Sequence, residues 1–263
     1  MKTSKMIVTL ICMAVPIVCL AQFGDNMQAF HVHEDRVKPD KVQAYESIAK
    51  ELISELTKQG ISEPGWLTTN TTDFRYLHLI PISSMADLDK SPFDALNQKI
   101  GEAEAEKLWG QFDECYDSHG NYVLLLDKEL SYMPAGWDIS TPGEDYRRFD
   151  FFYVKPENLK ASEAIGASIK DLFASKNSQF AYRVYRSGFG AMGPYILVVS
   201  SAKSAVDHGR KIEENRALIG KEFLDLYNKL LSYCWKFEQV HGSIRPDLSY
   251  GSNSFVNVAS QGK

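Results

Sequence analysis

The segment "VKPDKVQAYESIAKELISEL", residues 37–56, occurs a second time in altered form as "VKPENLKASEAIGASIKDLF", residues 154–173. The copies lie 117 residues apart and share the Val-Lys-Pro start and three later positions, Ala44/Ala161, Glu46/Glu163 and Ile48/Ile165. Further matches follow in the same order at offsets of 118 or 119, namely Ile100-Gly101 with Ile219-Gly220, Cys115 with Cys234, and Leu130-Ser131-Tyr132 with Leu248-Ser249-Tyr250. Ordered matches near one offset indicate an internal duplication.

Each copy has the pattern strand, helix, strand, strand, helix, strand. "FHVHEDRV" (30–37) and "FDFFYV" (149–154) begin the two copies as strands, and Pro39 stands where proline starts a helix whose apolar residues recur every three or four positions. This βαββαβ order is the split-βαβ, ferredoxin-like unit. We therefore predict a first ferredoxin-like repeat over residues 22–132, a linker over 133–148, a second repeat over 149–250 and a flexible tail over 251–263.

One such unit covers one face of its sheet with helices and leaves the other face bare, so two tandem units are expected to pack bare face to bare face. The duplicated pattern, over residues 30–250, resembles the dimeric α/β-barrel superfamily, which includes the antibiotic-monooxygenase-like and NIPSNAP-like families. The resemblance implies an α+β fold in which both halves of the barrel belong to one chain and enclose a cavity. It matches no catalytic motif and implies no particular chemistry; the chain is expected to be a monomer or a homodimer.

The first residues have the pattern of an export signal. Lys2 and Lys5 precede an apolar run that ends at Leu20, and Ala21 offers a small residue at the cleavage position. We expect cleavage after Ala21 and a periplasmic or secreted protein. The run is shorter than the roughly 20 residues of a membrane span, and the net charge of −5 argues against nucleic acid as a partner. The two cysteines beyond the signal, Cys115 and Cys234, are predicted to be small buried hydrophobes rather than a disulfide.

Strand alternation predicts which side chains face the enclosed cavity. The purely aliphatic set that includes Leu77 and Leu79 is assigned to the helices, which leaves the intervening polar and aromatic side chains for the cavity. The predicted ligand-binding residues are Trp66, Tyr76, His78, Tyr182, Arg183 and Tyr195. Such a lining suits a small apolar or aromatic molecule, with Arg183 orienting its polar group.

The first strand offers a possible metal site. His31 and His33 share one strand face, roughly 7 Å apart by strand rise, so they would bind one metal ion if Asp35 or His78 supplied a third ligand. The alternative is a solvated strand face. Of the other histidines, His119 and His241 each precede glycine and are predicted to cap the ends of the second helices, whereas His208 falls in a polar connection.

Three functions stay open at this point. The first is an exported small-molecule-binding protein that needs no cofactor. The second is a cofactor-independent oxygenase or isomerase with His78 as general acid or base and a tyrosine as hydrogen-bond donor. The third is a structural or interaction module whose barrel is filled with side chains.

Overall fold

The structure is a computed structural model that describes residues 23–24 and 26–251, so the predicted signal peptide and residues 252–263 of the predicted tail lie outside it. The strands are β1 (Met27–Val37), β2 (Leu67–Thr71), β3 (Arg75–Ile82), β4 (Tyr116–Tyr132), β5 (Tyr146–Val154), β6 (Tyr182–Ser187), β7 (Tyr195–Ala202) and β8 (Cys234–Ile244). The helices are α1 (Val42–Lys58), α2 (Asp94–Ile100), α3 (Glu102–Asp113), α4 (Leu159–Ser175) and α5 (Ala205–Ser232). In the described part of the chain, no helix is long and apolar enough to cross a membrane.

The eight strands close into one antiparallel barrel in the order β1-β3-β2-β8-β5-β7-β6-β4. The first repeat contributes β4-β1-β3-β2 and the second contributes β8-β5-β7-β6, which is the same order by sequence match. The two sheets join along the pairs β2–β8 and β4–β6. Closure leaves neither sheet with an unpaired edge, and it confirms the predicted tandem ferredoxin-like fold.

Both repeats interrupt their second helix at the same glycine. Gly101 has φ 84° and separates α2 from α3, and Gly220 has φ 69° and kinks α5. A residue with a Cβ rarely adopts these angles, so glycine is the residue that permits the break. The matched Ile-Gly pairs of the sequence are therefore matched breaks in the structure.

The two Leu-Ser-Tyr segments, which we call the terminal clasps, join the repeats reciprocally. Ser131 Oγ, from the first repeat, accepts a hydrogen bond from the backbone N of Val184 in the second repeat at 2.8 Å. Ser249 Oγ, from the second repeat, accepts one from the backbone N of Thr68 in the first repeat at 2.9 Å. Each serine thus satisfies a backbone donor at the start of a strand that belongs to the other half of the barrel.

The tyrosines and leucines of the clasps repeat this exchange. Tyr132 donates to the carbonyl of Ser178 in the second repeat, and Tyr250 donates to the carbonyl of Ile61 in the first. Leu130 packs in the core beneath α4 and α5, whereas Leu248 packs in the core beneath α1. Each half therefore needs the last residues of the other half to complete its core.

The face assignment for β3 is wrong. Leu77 and Leu79 pack in the barrel interior with Phe149 and Phe151, whereas Tyr76 and His78 face helix α1. The interior lies between two sheets and offers few partners for polar side chains, but α1 supplies polar partners on the outer face. On β7 the aromatic side chain does face the interior, because Tyr195 packs against the interior cluster.

Three further expectations differ from the structure. His119 and His241 lie within β4 and β8 rather than at helix ends, because both strands begin directly after their helices. His208 is buried on α5, not in a polar connection. Strand β5 begins at Tyr146, inside the segment predicted as linker. Cys115 and Cys234 are free thiols.

Candidate functional site

The barrel interior is nearly filled and leaves a cavity of only about 50 Å³. Apolar side chains from both sheets meet across it, and Ile139 from the connection between the repeats packs among them. Arg183, predicted to orient a ligand here, is 1% exposed. Its Nε donates to the carbonyl of Asp138 at 2.6 Å and its guanidinium pairs with the Asp138 carboxylate. Where the sequence predicts a ligand cavity between the two sheets, the described residues leave only this small space.

A much larger cavity of about 590 Å³ lies elsewhere, between the outer face of the second sheet and helices α4 and α5. We call it the second-repeat cavity. Its apolar wall consists of Leu130, Phe152, Gly166, Ile169, Phe173, Phe180, Val184, Ile196, Val198, Ile212, Phe223, Leu224 and Leu230. Its polar groups include Arg148, Asp150, Ser162, Tyr182, Ser200, Asn215 and Tyr227.

One difference between the two repeats contributes to this space. Tyr45 on α1 is fully buried and packs its ring on Tyr76 at 4.7 Å and on Phe112 at 5.5 Å. The residue 117 positions later on α4 is Ser162, which is also fully buried. A serine leaves most of the volume of a tyrosine ring unfilled, so the helix and the sheet enclose a cavity instead of a packed core.

Two hydroxyl groups on the wall of the second-repeat cavity lack partners. Tyr182 Oη and Ser162 Oγ are both buried, and neither forms a hydrogen bond with any described residue. Burial raises the pKa of Tyr182 far above its ordinary value, so the phenol stays protonated and can donate. An unsatisfied buried hydroxyl costs free energy that a bound acceptor would recover. Both hydroxyls belong to side chains that line the cavity and lack a described partner.

Ser200, on the same wall, is hydrogen-bonded to His208, which lies behind it. His208 Nε2, from α5, lies 2.7 Å from Ser200 Oγ on β7. Strand pairing places Tyr182 and Arg148 directly opposite Ser200 on its two sides, so these side chains form one polar row across the sheet. Burial, with the nearby positive charge of Arg148, lowers the pKa of His208 to about 4. His208 is thus neutral at pH 7 and able to accept a proton.

Because His208 is buried, we expect the folded protein to lose stability in acid. Burial lowers its pKa, as do Arg148, His241 and Lys211, with Asp207 opposing them. The unfolded chain, with a pKa of about 6.5, binds more protons than the folded chain between pH 6.5 and 4. The contribution of neutral His208 to the free energy of unfolding is therefore fully present above about pH 6.5. It is lost as the pH falls, by at most about 1.4 kcal/mol per pH unit. Urea unfolding from pH 7.5 to 4.5 should show a shallower loss of stability in His208→Gln than in the wild type; equal slopes would contradict this.

The structure distributes the sequence-predicted ligand residues over three places. Arg183 and Tyr195 line the barrel interior. Tyr182 lines the second-repeat cavity. Trp66 and Tyr76 belong to the core beneath α1, where Trp66 Nε1 donates to the carbonyl of Leu248 at 2.9 Å. These residues do not form one site.

The predicted catalytic residue, His78, is enclosed between two side chains. Its Nε2 lies 2.8 Å from the hydroxyl of Tyr45, and its Nδ1 lies 3.0 Å from the hydroxyl of Thr68. Burial lowers the pKa of His78 to about 4. It lines neither of the two cavities described above.

His31 and His33 do share the outer face of β1, as predicted. Both rings lie 3.0 Å from Asn121 Oδ1 on β4. The residues that sequence reasoning missed are Ser162, Ser200 and His208. The signal that could have found Ser162 is its match to Tyr45. At this predicted core position the first repeat has a large residue and the second repeat has a small one.

Comparison with known proteins supports the fold. No protein-family model and no curated protein matches the sequence. Among solved structures, an anthrone oxidase-like protein matches with a TM-score of 0.53 at 14% identity, over 83% of this chain and 91% of that chain. A chlorite dismutase variant from Candidatus Nitrospira defluvii matches with a TM-score of 0.47 at 8% identity, over 84% and 92%. A heme-binding protein from Thermus thermophilus matches with a TM-score of 0.44 at 13% identity, over 88% and 95%. The chain therefore shares its fold with the anthrone oxidase-like protein, and in this chain two ferredoxin-like halves of one polypeptide close into an eight-stranded barrel.

Proposed function

We propose that the protein binds a small, mainly apolar molecule with a hydrogen-bond acceptor group in the second-repeat cavity. The observation that carries this proposal is the volume of about 590 Å³ with the two unpaired hydroxyls of Tyr182 and Ser162 on its wall. The volume falls within the roughly 300–1,000 Å³ typical of ligand pockets, which are mostly apolar with a few polar groups that set orientation.

The polar row across the second sheet indicates where the acceptor group of the ligand would lie. Tyr182, Ser200 and Arg148 are cross-strand neighbours on β6, β7 and β5. Arg148 Nε already pairs with Asp150 at 3.0 Å, which leaves the other guanidinium nitrogens as additional donors. A carbonyl, phenolate or carboxylate oxygen over Ser200 would meet donors from both sides, while the rest of the molecule would contact the apolar wall.

The lining of the second-repeat cavity offers a heme iron no ligand other than phenols. The side chains that line the second-repeat cavity include no histidine, cysteine or methionine, and the groups that resemble heme ligands are the phenols of Tyr182 and Tyr227. We therefore propose an organic ligand whose recognition rests on the hydroxyl groups and Arg148.

The binding proposal is tested by removing one hydroxyl. Tyr182→Phe keeps the ring and the packing, so thermal stability should change little, whereas affinity for carbonyl- or phenol-bearing aromatic ligands found in a thermal-shift screen should fall about three- to tenfold, the worth of one hydrogen bond. Tyr195→Phe is the control, because Tyr195 lies in the barrel interior. Calorimetric titration of both variants decides the question: equal losses, or no loss in Tyr182→Phe, would argue against the proposed orientation.

A second candidate function is catalysis of proton abstraction in the same cavity. The observation that favours it is the 2.7 Å contact between His208 and Ser200, because Ser200 lines the cavity and a neutral histidine behind it can take a proton through the serine hydroxyl. His208 then takes the role that the sequence assigned to His78, in a cofactor-independent isomerase or oxygenase. Loss of turnover with retained binding in His208→Gln would support catalysis, and absence of turnover of any bound ligand by the wild type would leave binding as the function.

A further inference from the structure

Three potential metal ligands meet on the outer face of the first sheet, and none of them lines the second-repeat cavity. His33, Asp35 and His119 each place one donor atom within 4.8 Å of the others. His33 and Asp35 are two residues apart on β1 and so share a face, and His119 is the direct cross-strand partner of Asp35 on β4. The strand register therefore brings two imidazoles and one carboxylate together.

The carboxylate is held by two neighbouring side chains. Asp35 is 3% exposed, and its Oδ2 accepts a hydrogen bond from the hydroxyl of Tyr45 at 2.6 Å. Its Oδ1 lies 3.0 Å from His33 Nε2, so two members of the donor set are already in direct contact. A buried carboxylate is costly unless a cation balances its charge.

The surroundings hold the two imidazoles in place. His33 Nδ1 lies 3.0 Å from Asn121 Oδ1, so with the amide oxygen as acceptor Nδ1 carries the hydrogen and Nε2 points toward Asp35. Metal-binding histidines almost always donate their second ring nitrogen to an oxygen in this way. Tyr116 stacks on the His119 ring at 5.1 Å, and His119 itself is exposed, which gives an ion a path from solvent.

The second repeat shows that the fold does not need these polar groups. The residues that match Asp35 and His119, at offsets of 117 and 118, are Phe152 and Phe237. They are cross-strand partners as well, and their rings lie 5.0 Å apart. An apolar pair thus fills the same position in the second repeat, so the carboxylate and imidazole of the first repeat call for a separate explanation.

We propose that His33, Asp35 and His119 bind a divalent first-row transition-metal ion, with the remaining coordination positions open to solvent. Two imidazole nitrogens and one carboxylate oxygen are donors that suit Zn²⁺ and similar ions, at about 2.0–2.2 Å. His31 is outside this set, since the donor atoms that lie within 4.8 Å of one another belong to His33, Asp35 and His119. Of the candidates named from the sequence, the set keeps His33 and Asp35, and it adds His119 from the neighbouring strand.

The test uses the full chain without a histidine tag, stripped with a chelator and then loaded with Zn²⁺ or Co²⁺. We expect one Zn²⁺ per chain after gel filtration, and a visible absorption band from bound Co²⁺. His119→Phe introduces the residue of the second repeat at an exposed position, so the fold should persist while affinity falls at least about tenfold. Asp35→Asn should have the same effect, and circular dichroism verifies that each variant is folded.

His31→Ala is the matched control, since it removes an imidazole from the same strand face. It should retain one Zn²⁺ per chain. The proposal is overturned if the wild type retains no stoichiometric metal, if His119→Phe binds as tightly as the wild type, or if His31→Ala loses the ion as fully as His119→Phe does.

Discussion

Ser162→Phe is expected to abolish ligand binding in the second-repeat cavity while the protein stays folded. Ser162 is fully buried on α4 and faces the cavity, and the matching residue of the first repeat, Tyr45, fills the corresponding space with an aromatic ring. A phenylalanine ring at position 162 would occupy the volume that the ligand needs. We expect affinity to fall by at least about 100-fold, since steric exclusion costs more than the loss of one contact.

Phenylalanine is a better choice than tyrosine for this variant. The hydroxyl of Tyr45 donates to Asp35, but the residue that matches Asp35 in the second repeat is Phe152, which offers no acceptor. A tyrosine would therefore bury an unpaired hydroxyl. Filling an apolar cavity commonly raises stability by about 0.5–2 kcal/mol, so Ser162→Phe should unfold at an equal or higher urea concentration.

Ser168→Phe is the matched control, because it places the same substitution on the exposed face of the same helix. It should leave affinity unchanged. Titration calorimetry and urea unfolding on both variants give the two readouts. If Ser162→Phe is folded and binds as tightly as the wild type, the ligand does not occupy this cavity.

Leu248→Ala is expected to destabilise the whole chain by about 2–5 kcal/mol, the usual cost of removing a buried leucine side chain. Leu248 is 1% exposed and belongs by sequence to the second repeat, yet it packs in the core beneath α1 of the first. Leu130→Ala should have a similar effect, because Leu130 is buried in the core of the second repeat beneath α4. Each leucine supports the half of the barrel to which it does not belong in sequence.

The reciprocal exchange makes a prediction about cooperativity. Urea unfolding of either variant should show one transition at a lower midpoint, and fluorescence and circular dichroism should follow it together. Leu218→Ala is the control, since Leu218 is 47% exposed on α5 and its truncation should cost less than about 0.5 kcal/mol. Two separate transitions, with only one of them shifted, would mean that the repeats fold independently and that the clasps do not couple them.

Local patterns account for the part of the fold that sequence reasoning predicted. The duplication, the βαββαβ order and the matched Ile-Gly and Leu-Ser-Tyr positions all follow from residue spacing along one stretch of chain. The assignment of Tyr76 and His78 failed because alternation separates the two faces of a strand but does not say which face meets the other sheet. In β3 the face with Leu77 and Leu79 turned inward and joined the apolar cluster between the two sheets.

The candidate sites show the same limit. The pair Tyr45 and Ser162 is visible in the aligned repeats, but its consequence, a cavity in one half and a packed core in the other, depends on the volume between helix and sheet. His208 carried no signal because its partner, Ser200, lies on another element. His33 and Asp35 were named from their spacing on one strand. His119 could not be named, because only the register of β4 against β1 places it beside them.

The amino-acid sequence by itself determined that this protein is two copies of one ferredoxin-like unit in a single chain, because duplication and periodicity are properties of residue order. Only the tertiary structure decided where space and unpaired polar groups remain. The barrel interior closed on apolar side chains, the second repeat kept a cavity lined by Tyr182 and Ser162, and β4 brought His119 to Asp35. These outcomes depend on which side chains meet across strands and helices, and that is set by packing rather than by spacing along the chain.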